Sequence, residues 1–121
     1  GDYGIAWNLT RLVGTARARE LMFTAERVNA ERCERLGLVN RVVDDEQLAL
    51  EVAKLARSLA QGPGAAFAAM KDNLDDALDV DFLTALDREA DRLVNVATHP
   101  HHREAVQAFV EKRAPIFGIE E

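Results

Sequence analysis

A chain of 121 residues is long enough for one hydrophobic core and too short for two ordinary domains, so it reads as a single unit. Its net charge of −6, with Lys and Arg mixed among Asp and Glu in every segment, leaves no basic face for a phosphate backbone and argues against a nucleic-acid partner. No apolar stretch approaches the roughly 18 to 20 residues of a membrane span and no charged-then-apolar leader is present, so a soluble, cytoplasmic protein without a membrane partner is expected. The single cysteine, Cys33, fits a reducing compartment better than a disulfide scaffold, and nothing beside it supports a catalytic thiol.

Ala and Leu number 34 together against 14 for Val and Ile, a balance that favours helix over strand and predicts a mostly α fold. The opening Gly1-Asp2-Tyr3-Gly4 reads as a turn, without an initiator methionine, consistent with a cut chain. Residues 6–13 can form a short helix stopped at Gly14, and Thr15 can cap a second to about Thr24, with Leu21 and Met22 facing inward. Asn29 is a cap for a helix over residues 30–36, and Gly37 is its left-handed stop. Leu38-Val39-Asn40-Arg41-Val42-Val43 is the one segment with strand character, too short to build a sheet alone, and is expected to pair with something outside this chain or to remain extended.

Asp44 or Asp45 can cap the next helix, where Leu48, Val52, Leu55 and Leu59 make one apolar stripe. Gly62-Pro63-Gly64 breaks it, and Phe67, Met70, Leu74 and Leu78 mark a further amphipathic helix. Asp81 caps another, with Phe82, Leu86, Leu93 and Val94 inward and an end near His99-Pro100. The last helix is expected over residues 101–113, with Val106, Phe109 and Val110 on one face and Lys112 and Arg113 at its cation-favouring end, before Pro115. His99, His101 and His102 invite a metal reading, but no Asp, Glu or Cys at ligand spacing completes a site; a solvated helix start is the simpler account. The run Asp72, Asp75, Asp76, Asp79 and Asp81 lacks the glycine and spacing of a calcium loop and reads as a wet helix face.

Three stretches carry a resemblance. They are Asp2-Tyr3-Gly4-Ile5-Ala6-Trp7-Asn8-Leu9-Thr10-Arg11-Leu12-Val13-Gly14; Leu36-Gly37-Leu38-Val39-Asn40-Arg41-Val42-Val43; and Ala108-Phe109-Val110-Glu111-Lys112-Arg113-Ala114-Pro115-Ile116-Phe117. In this order and spacing the chain resembles the C-terminal portion of the enoyl-CoA hydratase/isomerase (crotonase) superfamily, about the last two fifths of a typical member. The resemblance implies the helical, trimerising part of an αβ-spiral fold, with at most one short strand. Residues 1–14 would close the acyl-CoA-binding core, and residues 15–121 would form the helical region. The oxyanion hole, two backbone N–H groups that hold a developing enolate, would belong to loops upstream. So would a hydratase glutamate, about eight residues before Asp2. The isolated chain is then expected to be inactive.

By the same resemblance Asp2 matches a position where some relatives carry an acidic base or nucleophile and common hydratases carry glycine. A turn aspartate beside glycine is the plain alternative. Trp7 is a candidate wall of the acyl pocket or a core residue. Leu93 falls near the adenine of coenzyme A in relatives, with a core or trimer contact as the alternative. Lys112 matches a lysine that reaches coenzyme A phosphates, or is simply a cation at a helix end. The family implies an acyl-CoA partner, a homotrimer or a hexamer built as a dimer of trimers, and no cofactor beyond the coenzyme A of the substrate. A non-catalytic helical oligomerisation module is the competing expectation, because apolar helix faces alone would explain the pattern.

Overall fold

A computed structural model describes residues 2–118. Six helices account for most of them: α1 Ile5–Thr24, α2 Ala30–Leu36, α3 Asp45–Ala60, α4 Gly64–Asp79, α5 Phe82–Ala97 and α6 Pro100–Glu111. The fold is mostly α, and no strand occurs among the described residues. The chain divides into two compact units, Gly1–Ala49 and Leu50–Glu121.

In the first unit, Gly14 takes φ 79°, ψ 165° inside α1, so two helical pieces meet at a residue that tolerates this backbone. The inward assignment of Met22 does not hold: its side chain is exposed, and Leu9 and Ala18 are the buried residues of α1. Asn29 caps α2 by accepting the Arg32 N–H at 2.9 Å. Gly37, at φ 77°, ends it, with its own N–H on Glu34 O at 2.9 Å and the Leu38 N–H on Cys33 O at 2.8 Å. The segment at residues 38–43 pairs with no strand among the described residues. Residues 38–40 bend, and the Val42 N–H donates to Glu34 Oε1 at 3.1 Å, because a single short strand has no partner to satisfy its backbone.

α3 starts at the end of the first unit and continues in the second. Its stripe of Leu48, Val52, Leu55 and Leu59 forms as spaced, yet all four remain exposed. In the second unit α4 and α5 pack side by side, and the acidic run departs from a uniformly wet face. Asp76 reaches Arg88 Nη1 and Arg92 Nη1, both at 2.7 Å, and Arg92 Nη1 also donates to Asn73 Oδ1 at 2.8 Å. Asp81 caps α5, accepting the Leu83 and Thr84 N–H groups at 3.0 and 3.1 Å and the Thr84 hydroxyl at 2.6 Å. Asp72, Asp75 and Asp79 stay exposed as expected.

α6 begins one residue earlier than its pattern suggests, because Pro100 occupies the first helical position, where its missing N–H costs nothing. It also ends earlier. Lys112 lies in the left-handed region at φ 55°, so Lys112 and Arg113 follow the helix instead of belonging to it. Arg113 then grips Glu104, with bonds of 2.6 and 3.0 Å, and Glu104 also accepts the Ile116 N–H at 2.8 Å. The tail is folded back along α6. Among the described residues only Leu9, Ala18 and Ala108 are buried, while Phe82 is 76% and Phe109 85% exposed. Such side chains gain about 1.5–3 kcal/mol each when buried, a gain these helices do not collect among themselves.

Candidate functional site

The turn that opens the chain is shaped by its backbone. Tyr3 at φ 52° and Gly4 at φ 77° are both left-handed, and the Ile5 N–H donates to Asp2 O at 3.1 Å. Glycine adopts this geometry freely, whereas tyrosine is strained in it, so the turn is held against a local cost. Asn8 Nδ2 donates to Gly4 O at 3.2 Å and ties the turn to the first turn of α1. Asp2 is exposed, and Tyr3 lies almost wholly in solvent, at the start of this helix. One turn on, Trp7 is 55% exposed, and the Arg11 guanidinium lies 3.7 Å from its ring centroid. Trp7 is therefore a surface residue of its unit. Its indole is kept in place by a cation spaced one helical turn away.

Asp2 and Trp7 belong to the first unit, Leu93 and Lys112 to the second. Leu93 is exposed on α5 at the rim of a cavity of about 200 Å³ between α4 and α5, shared with Ala66, Ala69, Met70 and Val96. Glu89 and the mutually bonded Asn73 and Arg92 form its polar edge. The cavity is thus mainly apolar with a charged lip, suited to a flat or aliphatic group and not to a free anion. Lys112 caps α6 through its backbone N–H on Phe109 O at 3.2 Å and presents its ammonium to solvent. Its cation still lies where the carbonyl end of the helix favours positive charge.

Carboxylates at the junctions between elements are held below their ordinary values by their hydrogen bonds. Hydrogen bonding to Arg92, and then to Arg88, lowers the Asp76 carboxyl below its ordinary value. The Thr84 hydroxyl and N–H hold Asp81 low in the same way. Glu104 drops to about 2, chiefly through Arg113 and then through the Ile116 N–H. Each is a structural junction: α4 to α5, the start of α5, and α6 to the tail. Sequence reasoning missed Asp76 and Glu104 because their partners lie 12 and 9 residues away, outside any helical repeat. His99 was also missed as a cap, although histidine immediately before Pro at a helix start is a readable clue. Among the described residues no group of three His, Cys, Asp or Glu side chains is gathered closely enough to hold a metal ion. Among the described residues no helix is long and apolar enough to cross a membrane.

The chain was compared with known families, proteins and structures. Residues 1–120 match the Enoyl-CoA hydratase/isomerase family. The "Probable enoyl-CoA hydratase" of Rhodobacter capsulatus is 39% identical over 116 residues, 96% of this chain and 45% of that protein. The 1,2-epoxyphenylacetyl-CoA isomerase of Escherichia coli K12 is 36% identical over 96% of this chain and 44% of its own length. The crystal structure of an enoyl-CoA hydratase/isomerase from Cupriavidus metallidurans CH34 superposes with a TM-score of 0.88 at 34% identity, covering 99% of this chain and 46% of that one. The chain therefore spans a little under half the length of these relatives. With the family's pattern running over nearly every residue and the six-helix arrangement shared with its solved members, this chain belongs to the enoyl-CoA hydratase/isomerase family.

Proposed function

We propose that this chain is the C-terminal helical part of an enzyme that acts on acyl-CoA thioesters through an oxyanion-stabilised enolate. The observation that carries the proposal is the Asp2-Tyr3-Gly4 turn, strained at Tyr3, which presents a carboxylate at the start of a helix at one end of the family match. In the parent enzyme Asp2 is the base that removes a proton from the carbon chain of the substrate. The electron pair moves onto the thioester oxygen, where backbone N–H groups of the preceding half would hold it. Trp7, with Arg11 behind it, walls the acyl group. Leu93 offers an apolar contact to the adenine end, and Lys112 a mobile ammonium to the phosphates of coenzyme A.

An acid at position 2 tilts the chemistry toward an isomerase or another non-hydratase reaction, and an isomerase stands beside hydratases among the relatives. Coenzyme A arrives as part of the substrate, so the reading needs no other cofactor. The exposed faces of α3, α5 and α6 support assembly as a homotrimer or a hexamer, and are also what favours the second reading: a helical assembly module without catalysis of its own.

The test is turnover of an enoyl-CoA by the parent enzyme carrying Asp2→Asn. A fall in kcat of at least about tenfold is expected if Asp2 moves the proton. Turnover like that of the unaltered enzyme reduces Asp2 to a turn residue and leaves assembly as the function of this region. Lys112→Ala should weaken coenzyme A binding several-fold, read by calorimetry, with the helical circular dichroism unchanged; unaltered affinity would leave Lys112 as the end of α6 and nothing more.

A further inference from the structure

The first piece of α1 divides its side chains between two sides. Leu9 is buried there, with Thr10 and Val13 half-buried beside it, and these form the packed side. Trp7 and Arg11, one helical turn apart, share the other side, and both are exposed. The Arg11 guanidinium carbon lies 3.7 Å from the centre of the Trp7 ring, so the cation rests on one face of the indole. No Asp or Glu stands three or four residues from Arg11, where Trp7, Asn8, Gly14 and Thr15 are found. Helical spacing therefore offers this guanidinium an indole and no carboxylate. The ring is left covered by a cation on one face and open on the other.

Resting on the acyl-CoA reading of this chain, we propose that Arg11 is a positioning residue of the acyl pocket, which fixes the Trp7 indole at one tilt and so shifts the pocket's preference toward an aromatic acyl group over a straight aliphatic one. A free indole turns about two side-chain bonds, and ordering it on binding costs affinity. The guanidinium, carried by the same helix, removes that freedom before the substrate arrives. An aliphatic chain gains its contact at almost any tilt of the ring, because dispersion has no preferred direction. Offset stacking of two rings needs one tilt, since the ring quadrupoles penalise the others. With one face of the indole occupied by the cation, a substrate ring has the opposite face to stack on. Arginine suits this task better than lysine, because its planar group stacks on the indole whereas an ammonium acts as a point charge.

Two measurements test this. In the 121-residue chain Trp7 is the only tryptophan, so the decay of its fluorescence anisotropy reports the motion of this ring alone. Arg11→Gln should add fast, wide motion of the indole, and Arg11→Lys should suppress part of it, with the helical circular dichroism unchanged in both. A decay unaltered in Arg11→Gln overturns the proposal. In the parent enzyme, calorimetry compares Kd for two saturated acyl-CoA thioesters of equal carbon number, one ending in a phenyl ring and one a straight chain. Arg11→Gln should raise Kd for the phenyl thioester about two- to fivefold, the range of an exposed cation–π contact, and leave that of the straight chain nearly unchanged. Arg11→Lys should give a smaller change in the same direction. An unchanged ratio of the two constants overturns the proposal, and so does equal weakening of both, which would make Arg11 a residue of general stability. Binding of neither thioester to the unaltered enzyme would instead sink the acyl-CoA reading, and selection by Arg11 with it.

Discussion

The α4–α5 pair and the junction of α6 with its tail are each fastened by one carboxylate that gathers arginine, yet the two fastenings are of different kinds. Asp76 joins two sixteen-residue helices that also touch along their lengths, and its two arginines stand one turn apart on α5. Glu104 fixes a short tail that forms no helix, through one arginine and one backbone N–H, beside the edge-on contact of His101 with Phe117. Where apolar burial is scarce, a charged residue sets the register between elements. The helix pair adds side-chain contact to that charge, whereas the tail has little else. This difference makes the first junction a determinant of stability and the second a candidate for local opening.

The comparison can be broken at its stronger end first. Asp76→Asn leaves Arg88 and Arg92 without a carboxylate and should lower the melting temperature of the chain by several degrees, whereas the same change at Asp75, on the exposed side of α4, should leave it nearly unchanged. Equal effects at the two positions, measured by circular dichroism, would remove Asp76 from its place as the α4–α5 link. Gly62→Ala is next: a Cβ there would come within 2.3 Å of Phe67 Cε2 and 3.2 Å of Leu59 O, so the ring must leave its seat at the start of α4. The expected cost is roughly 1–3 kcal/mol of unfolding free energy in urea, and Gly62→Ala paired with Phe67→Leu should recover part of it.

The smallest effect concerns the tail. The Glu104 carboxyl is lowered from 4.5 to about 2, so its contribution is complete above pH 4.5 and lost as the pH falls through about 2. Detachment of Ile116, seen as a shift of its amide, should therefore set in only as the pH falls toward about 2. An amide unmoved over that range would remove Glu104 from its place as the anchor of the tail.

Much of the architecture could be read from the chain because local chemistry decides it. Asn29, Gly37 and Asp81 cap or stop helices with their own side chains or backbone freedom, and each does so as its sequence position suggests. Residues 38–43 carry strand character but pair with nothing here, because a strand requires an edge to pair with, and none is offered among the described residues. The four proposed site residues were named from the family resemblance, and their own spacing would not have singled them out. Trp7 illustrates the limit, since a lone tryptophan reads as core until its environment shows it half in solvent beneath Arg11.

The sequence by itself determined the helical class, the punctuation of the helices and the apolar stripe on each, because these depend on residues within one or two turns of one another. Only the tertiary structure decided which charges meet. Asp76 with Arg88 and Arg92, Glu104 with Arg113 and Ile116, and the His99–His101–Phe117 cluster all join residues whose approach depends on how the chain turns between elements. That turning is set by long-range packing and by left-handed residues such as Lys112, which no periodicity encodes.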